Sequence, residues 1–113
     1  MHEMSLCEGV LQIIEREAKV QKFTKVKRVI LDVGALAGVE IAALEFSFEV
    51  VMRGSIAENA VLQINEVEAQ AWCMQCAESV TVKERYDACP KCGSFQLQVS
   101  GGDEMKIKEL EVD

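Results

Sequence analysis

This chain is short of basic residues and of long apolar runs. Lysine and arginine number 12 against 19 aspartate and glutamate, a formal net charge of −7 over 113 residues. A grip on nucleic acid needs a basic face to displace condensed counterions, so that class is set aside. No run approaches the ~18 consecutive apolar residues of a membrane span. The opening residues lack a basic stretch leading into an apolar one, so no secretory signal is expected. There is no low-complexity tract. The turn Gly34-Ala35-Leu36-Ala37-Gly38 lacks the lysine and hydroxyl residue that end a phosphate-binding loop. Histidine occurs once, as His2, and proline once, as Pro90. No acid–base or nucleophile–base pair can be assigned, so the chain is not read as an enzyme.

Cysteine, by contrast, is concentrated. Four of the five form Cys73-Met74-Gln75-Cys76 and, twelve residues later, Cys89-Pro90-Lys91-Cys92 followed by Gly93. Two Cys-x-x-Cys pairs at this spacing are a strong signal for a tetrahedral metal site, because two intervening residues turn the chain tightly enough for both sulfurs to reach one ion. Pro90 presets its own φ, and Gly93 can take the positive φ such a turn needs. Four thiolates close the coordination of a zinc ion, leaving no position for water, so the zinc is expected to hold structure. A rubredoxin-like iron would accept the same donors and is the competing metal. Cys7 is expected in or near a helix as a small apolar residue. Thiols arranged for metal suit a reducing compartment, and a cytoplasmic location is expected.

The rest of the chain reads as a small α+β body. Ser5-Leu6-Cys7-Glu8 has the form of a capping box, and Leu6, Val10, Ile13, Ile14 and Ala18 follow on one face of a helix ending near residues 20–22. Lys25 to Val33 reads as a strand with Val29, Leu31 and Val33 on one face. Glu40 to Met52 reads as a second helix closed by Gly54 and apolar on most sides, hence expected to be deeply buried. Strands are expected over 60–68, 79–85, 95–99 and 104–112, the last rejoining the first sheet. Trp72, Tyr86 and Phe95 are expected to pack as a small core around the metal, and Lys83, Arg85 and Lys91 to offset its negative charge. The fold expected is a small mixed sheet packed by two helices, with an inserted four-cysteine zinc-ribbon-like module. The body is expected to span 1–67 plus 101–113 and, through the N-terminal residues considered next, to be the nickel-binding domain; the zinc-binding module is expected to span 68–100. Such a module buries too little surface to stand without its metal.

His2 has a chemical meaning despite being alone. The Met1 amine and the His2 amide close a five-membered chelate ring on a metal, and that amide and His2 Nδ1 close a six-membered one. Three coplanar nitrogens favour square-planar Ni(II) or Cu(II), and Glu3 can supply a fourth donor through its amide or carboxylate. The amide must lose its proton to bind, so uptake is expected to depend on pH.

Met1-His2-Glu3-Met4-Ser5-Leu6, the Val33-Gly34 turn before an apolar helix, Arg53-Gly54-Ser55 after it, and the two cysteine pairs before a final strand together resemble the HypA hydrogenase maturation factors along essentially the whole chain. The resemblance implies a nickel metallochaperone that binds Ni(II) through the Met1 amine, His2 and Glu3 and structural zinc through Cys73, Cys76, Cys89 and Cys92. It implies a HypB-type GTPase and the [NiFe]-hydrogenase large subunit as partners, with urease maturation proteins added in some relatives, and Glu40 in the outer shell of the nickel. Some relatives carry a further histidine near the zinc knuckles, which this chain lacks. No nucleic acid or membrane is expected as a partner, and the chain is expected as a monomer or homodimer. The competing reading is a zinc-ribbon interaction adaptor in which His2 is idle.

Overall fold

The computed structural model describes residues 2–113, arranged as α1 (His2–Gln21), β1 (Val26–Gly34), α2 (Ile41–Met52), β2 (Val61–Val67), β3 (Ala69–Cys73), β4 (Glu78–Val82), β5 (Leu97–Gly101) and β6 (Met105–Val112). The strands form two three-stranded sheets, ordered β2-β1-β6 and β4-β3-β5. Among the described residues, 2–31, 39–64 and 107–113 cluster as one compact unit, and 32–38 and 65–106 as a second.

β1 and β2 run parallel: Arg28 reaches Gln63 at 3.3 Å, Asn65 reaches Asp32 at 3.2 Å, and the Ala35 N–H meets the Val67 carbonyl at 2.8 Å. A parallel pair needs a crossover, and α2 supplies it. β6 returns beside β1 in the opposite sense, with Asp113 N–H on the Lys25 carbonyl at one end and Gly34 N–H on the Glu104 carbonyl at the other. The final strand therefore does rejoin the first sheet, which is mixed.

In the first unit, α1 buries Glu3, Cys7, Val10 and Ile14, spaced four, three and four apart on one stripe. It packs against α2, whose Leu44, Ser47, Phe48 and Met52 are buried. Ile13, expected on the buried face, is more than a third exposed, while Cys7 is fully buried. Burial, ahead of any charge effect, pushes the Cys7 thiol up to about 11, in keeping with a packing role.

Two expectations for the helices are corrected. α1 starts at His2, so Ser5 lies inside its first turns and is no N-cap. The acidic Glu3 in the first turn, held by a backbone N–H from outside the helix, supports the earlier start. α2 is not buried all round: Phe46 is 64% exposed between exposed Glu45 and Glu49. With mostly apolar residues on a helix packed against one other helix, some apolar surface has to face solvent.

In the second unit, β3 pairs antiparallel with β4 and with β5. Ala69, Ala71 and Cys73 alternate inward, joined by Val80, Val82, Leu36 and Cys89. The aromatic residues expected in this core are outside it: Trp72 is 43%, Phe95 75% and Tyr86 93% exposed. Strand periodicity explains Trp72, since an inward Cys73 turns its neighbour outward.

Gly34 sits where two backbones touch. A Cβ there would lie 2.2 Å from the Gly102 carbonyl oxygen, and that oxygen already accepts the Leu36 N–H at 2.8 Å. Gly102 has φ of +78°, and a Cβ on it would lie 2.5 Å from the Ala69 Cα. Gly34→Ala is expected to destabilise the protein by about 3 kcal/mol, the upper range for forced overpacking. Denaturant unfolding checks this; a variant as stable as the parent would contradict the close approach.

Candidate metal centre

The four sulfurs of Cys73, Cys76, Cys89 and Cys92 lie within 4.8 Å of one another. Cys73 and Cys92 are 3.7 Å apart and Cys76 and Cys89 3.9 Å. Sulfurs placed about 2.3 Å from a central ion at tetrahedral corners are about 3.8 Å apart. The cluster has the dimensions of a metal site, and its spacings are far from the ~2.05 Å of a disulfide. All four are free thiols.

The two pairs are built alike. Ala77 and Gly93, each four residues after the first cysteine of its pair, have φ of 54° and 77°. Each donates its N–H to that cysteine's carbonyl, Ala77 to Cys73 at 2.8 Å and Gly93 to Cys89 at 2.9 Å. The turn directs further backbone N–H groups at sulfur: Cys76 N–H to Cys73 Sγ and Lys91 N–H to Cys89 Sγ, both at 3.4 Å. Such donors favour the thiolate. Burial raises the Cys89 thiol, but the N–H groups of Cys92 and Lys91 outweigh it and bring the thiol down to about 7. The Cys76 thiol, bonded to Cys92 and then raised further by burial, is pushed up to about 12. The metal-free cluster thus keeps protons that an incoming cation must displace.

Of the basic residues expected to offset the cluster's charge, Lys91 alone is within electrostatic reach of its sulfurs, those of Cys76 and Cys89. The Lys91 ammonium bonds the Glu78 carboxylate, which raises its pKa. Arg85 Nη2 donates to the Leu36 carbonyl at 3.2 Å, and Lys83 is exposed.

The second candidate site lies at the start of α1. Met1, whose amine heads the expected nickel donors, lies outside the described residues. His2 is exposed, with Nδ1 3.4 Å from Glu3 Oε2. Glu3 is 5% exposed, uncommon for a carboxylate. Its Oε2 accepts the Glu40 backbone N–H at 3.2 Å. That bond, first among the causes, holds the Glu3 carboxyl down at about 2, so the group is ionised at neutral pH. The Glu40 carboxylate turns onto its own helix, accepting the N–H groups of Ala42 at 3.3 Å and Ala43 at 2.7 Å as the N-cap of α2. The first amides of α1 have no intrahelical acceptor. One corner of the first unit therefore gathers an imidazole and an ionised carboxylate at the start of a helix.

Residues 1–112 match the family model described as "Hydrogenase/urease nickel incorporation, metallochaperone, hypA". The chain belongs to the HypA family. It is 58% identical over 113 residues to the hydrogenase maturation factor HypA of Alkalilimnicola ehrlichii and 52% identical to that of Azotobacter vinelandii, covering all of both chains in each case. A solution structure of HypA protein superposes with a TM-score of 0.72 at 26% identity, covering 100% of this chain and 97% of that one. The solution structure of the Ni metallochaperone HypA from Helicobacter pylori gives 0.71 at 24% identity over 97% and 96% of the two chains, a likeness of fold.

Two features of this HypA-family chain escaped the reading of its residues. One is the Glu40 backbone N–H that holds Glu3, since a main-chain donor leaves no mark in side-chain identity. The other is the left-handed Ala77; its place, matching that of Gly93 in the second pair, was the available signal. Among the described residues no helix is long and apolar enough to cross a membrane.

Proposed function

We propose that this HypA-family chain binds Ni(II) at its N-terminus and delivers it to the [NiFe]-hydrogenase large subunit. The observation that carries the proposal is the exposed His2 imidazole beside the buried, ionised Glu3 at the start of α1. The Met1 amine, the His2 amide and His2 Nδ1 serve as nickel donors, with Glu3 as the fourth or as its neighbour. Glu40 acts at one remove: its N–H fixes the Glu3 carboxylate, and its own carboxylate anchors α2.

Release follows from the same placement. A planar site beside the exposed His2 would leave both axial faces open to an incoming ligand, so nickel passes on by ligand exchange. A buried cage would hold the ion more tightly and surrender it slowly. The chain transports and does not catalyse. Cys73, Cys76, Cys89 and Cys92 hold zinc, which in a closed four-thiolate set supplies structure alone. A HypB-type GTPase and, for relatives that serve urease, urease maturation proteins complete the partner set, with the acidic surface docking basic patches. This chemistry belongs in a reducing cytoplasm, where the thiols stay available to metal.

The test is complementation in cells lacking their own copy of this protein. The parent chain is expected to restore hydrogenase maturation and His2→Ala to leave it near background. Full restoration by His2→Ala would overturn delivery from the N-terminus and favour the adaptor reading.

A further inference from the structure

Between α2 and the start of β2 the first unit carries a groove of about 420 Å³. Phe48, Met52, Ala57 and Leu62 line its floor; the first three are buried and Leu62 is half-buried. Glu45, Glu49 and Glu58 stand on its rim, all exposed. Arg53 is the one cation in the lining, and its guanidinium lies 3.6 Å from the Glu49 carboxylate. Three carboxylates against one guanidinium leave the rim acidic. Along α2 the lining residues Glu45, Phe48, Glu49 and Met52 fall at three- and four-residue steps, so one stripe of that helix forms a straight wall. On the opposite side β2 is the edge of its sheet, and among the described residues no further strand closes it.

We propose that this groove docks a basic amphipathic helix of a partner protein, with its apolar stripe on the floor and its lysine or arginine side chains on the rim. Charge chooses the occupant. An apolar floor inside an acidic rim calls for the complementary pattern, apolar residues flanked by cations. A second copy of this chain, at a net charge of −7, would set like charges across the rim, and so would an anionic lipid surface or a nucleic acid. The shape of the wall chooses a helix. A stripe at three- and four-residue steps presents a ridge along α2, and a second helix laid beside it seats its own apolar residues, spaced the same way, against that ridge. None of these residues is a proposed nickel donor, so the groove and the nickel site can be tested apart.

Amide NMR of the zinc-loaded full chain at about 0.15 M salt reads both site and affinity. The probe is a helix-forming peptide of about 18 residues, with leucines on one face and lysines on the other. Amides of α2 and of the chain from Ala57 to Leu62 are expected to shift and to saturate by about 1 mM peptide, while those of β3, β4 and β5 stay in place. Glu45→Lys, an exposed position given a good helix former, is expected to weaken binding about tenfold. Glu109→Lys makes the same change of charge at an exposed position on β6. It is expected to cost about twofold or less, because salt screens distant charges, and so controls for net charge. A peptide with the same lysines and serine in place of leucine is expected to leave the groove amides unmoved. Shifts confined to other parts of the chain, no saturation by about 1 mM, equal losses from the two substitutions, or equal binding of the serine peptide each overturn the proposal. Shifts at the groove amides that grow with protein concentration in the absence of peptide would place a second copy there and overturn it too.

Discussion

Stripping the metal from the cysteine cluster, or replacing Cys73 with serine, is expected to unfold the second unit. The core cluster around its cysteines is Leu36, Ala69, Ala71, Cys73, Val80, Val82 and Cys89, of which two are alanines and two are the metal-binding cysteines themselves. With the aromatic residues outside, only Leu36, Val80 and Val82 are buried aliphatic side chains in that cluster, with Leu97 partly buried against it. A structural zinc ion contributes about 10 kcal/mol or more of apparent binding energy at neutral pH, comparable with the whole stability of a typical domain. Hydrogen exchange checks the outcome. Amides of β3, β4 and β5 are expected to lose protection on chelation while those of α1 and α2 keep it; protected β3 amides after complete metal removal would contradict the account. The pH dependence has a definite sign. The metal-free cluster holds protons, with Cys76 raised to about 12 and Cys92 also raised, so loading releases protons and the metal is lost as pH falls.

His2→Ala is expected to abolish specific nickel binding. Loss of an outer-shell contact alone typically costs 10–100-fold in metal affinity, so loss of a chelating ligand is expected to cost about 100-fold or more. His2 is exposed at the first turn of α1, and alanine favours helix, so the fold and the cysteine cluster are expected to stay intact. Binding in the parent competes with protons on the amine, the imidazole and the amide, so affinity is expected to rise with pH. Calorimetric titration with Ni(II) across neutral pH reads both effects. An affinity unchanged by the substitution, or falling with pH, runs against these donors.

The metal cluster was legible in the chain because its signal is local. Cys-x-x-Cys is a statement about one turn, and one turn sets where two sulfurs go. The body was legible for a related reason: apolar periodicity in α1, β1 and β6 marks faces that pack. What escaped was decided by partners distant in sequence. Ser5 looks like a cap until Glu40, 37 residues beyond Glu3, supplies the N–H that holds the earlier turn. Phe46 and Trp72 are apolar, yet one lies on the free side of α2 and the other is turned out by its strand. Hydrophobicity gives the expectation of burial, but the number of neighbouring elements limits how much of it is met. The resemblance implied Glu40 in the outer shell of the nickel but not the contacts it makes, with its carboxylate as the N-cap of α2 and its backbone N–H on Glu3.

The most direct measurement is a Ni(II) titration of the zinc-loaded protein beside its His2→Ala variant, with metal content and the visible absorption spectrum read on the same samples. The account predicts one tightly held nickel per chain with a planar d–d band, both missing in the variant while zinc content is unchanged. Equal nickel uptake by the two proteins, or none by either, would contradict an N-terminal nickel site and leave the cysteine cluster as the metal centre on which function rests.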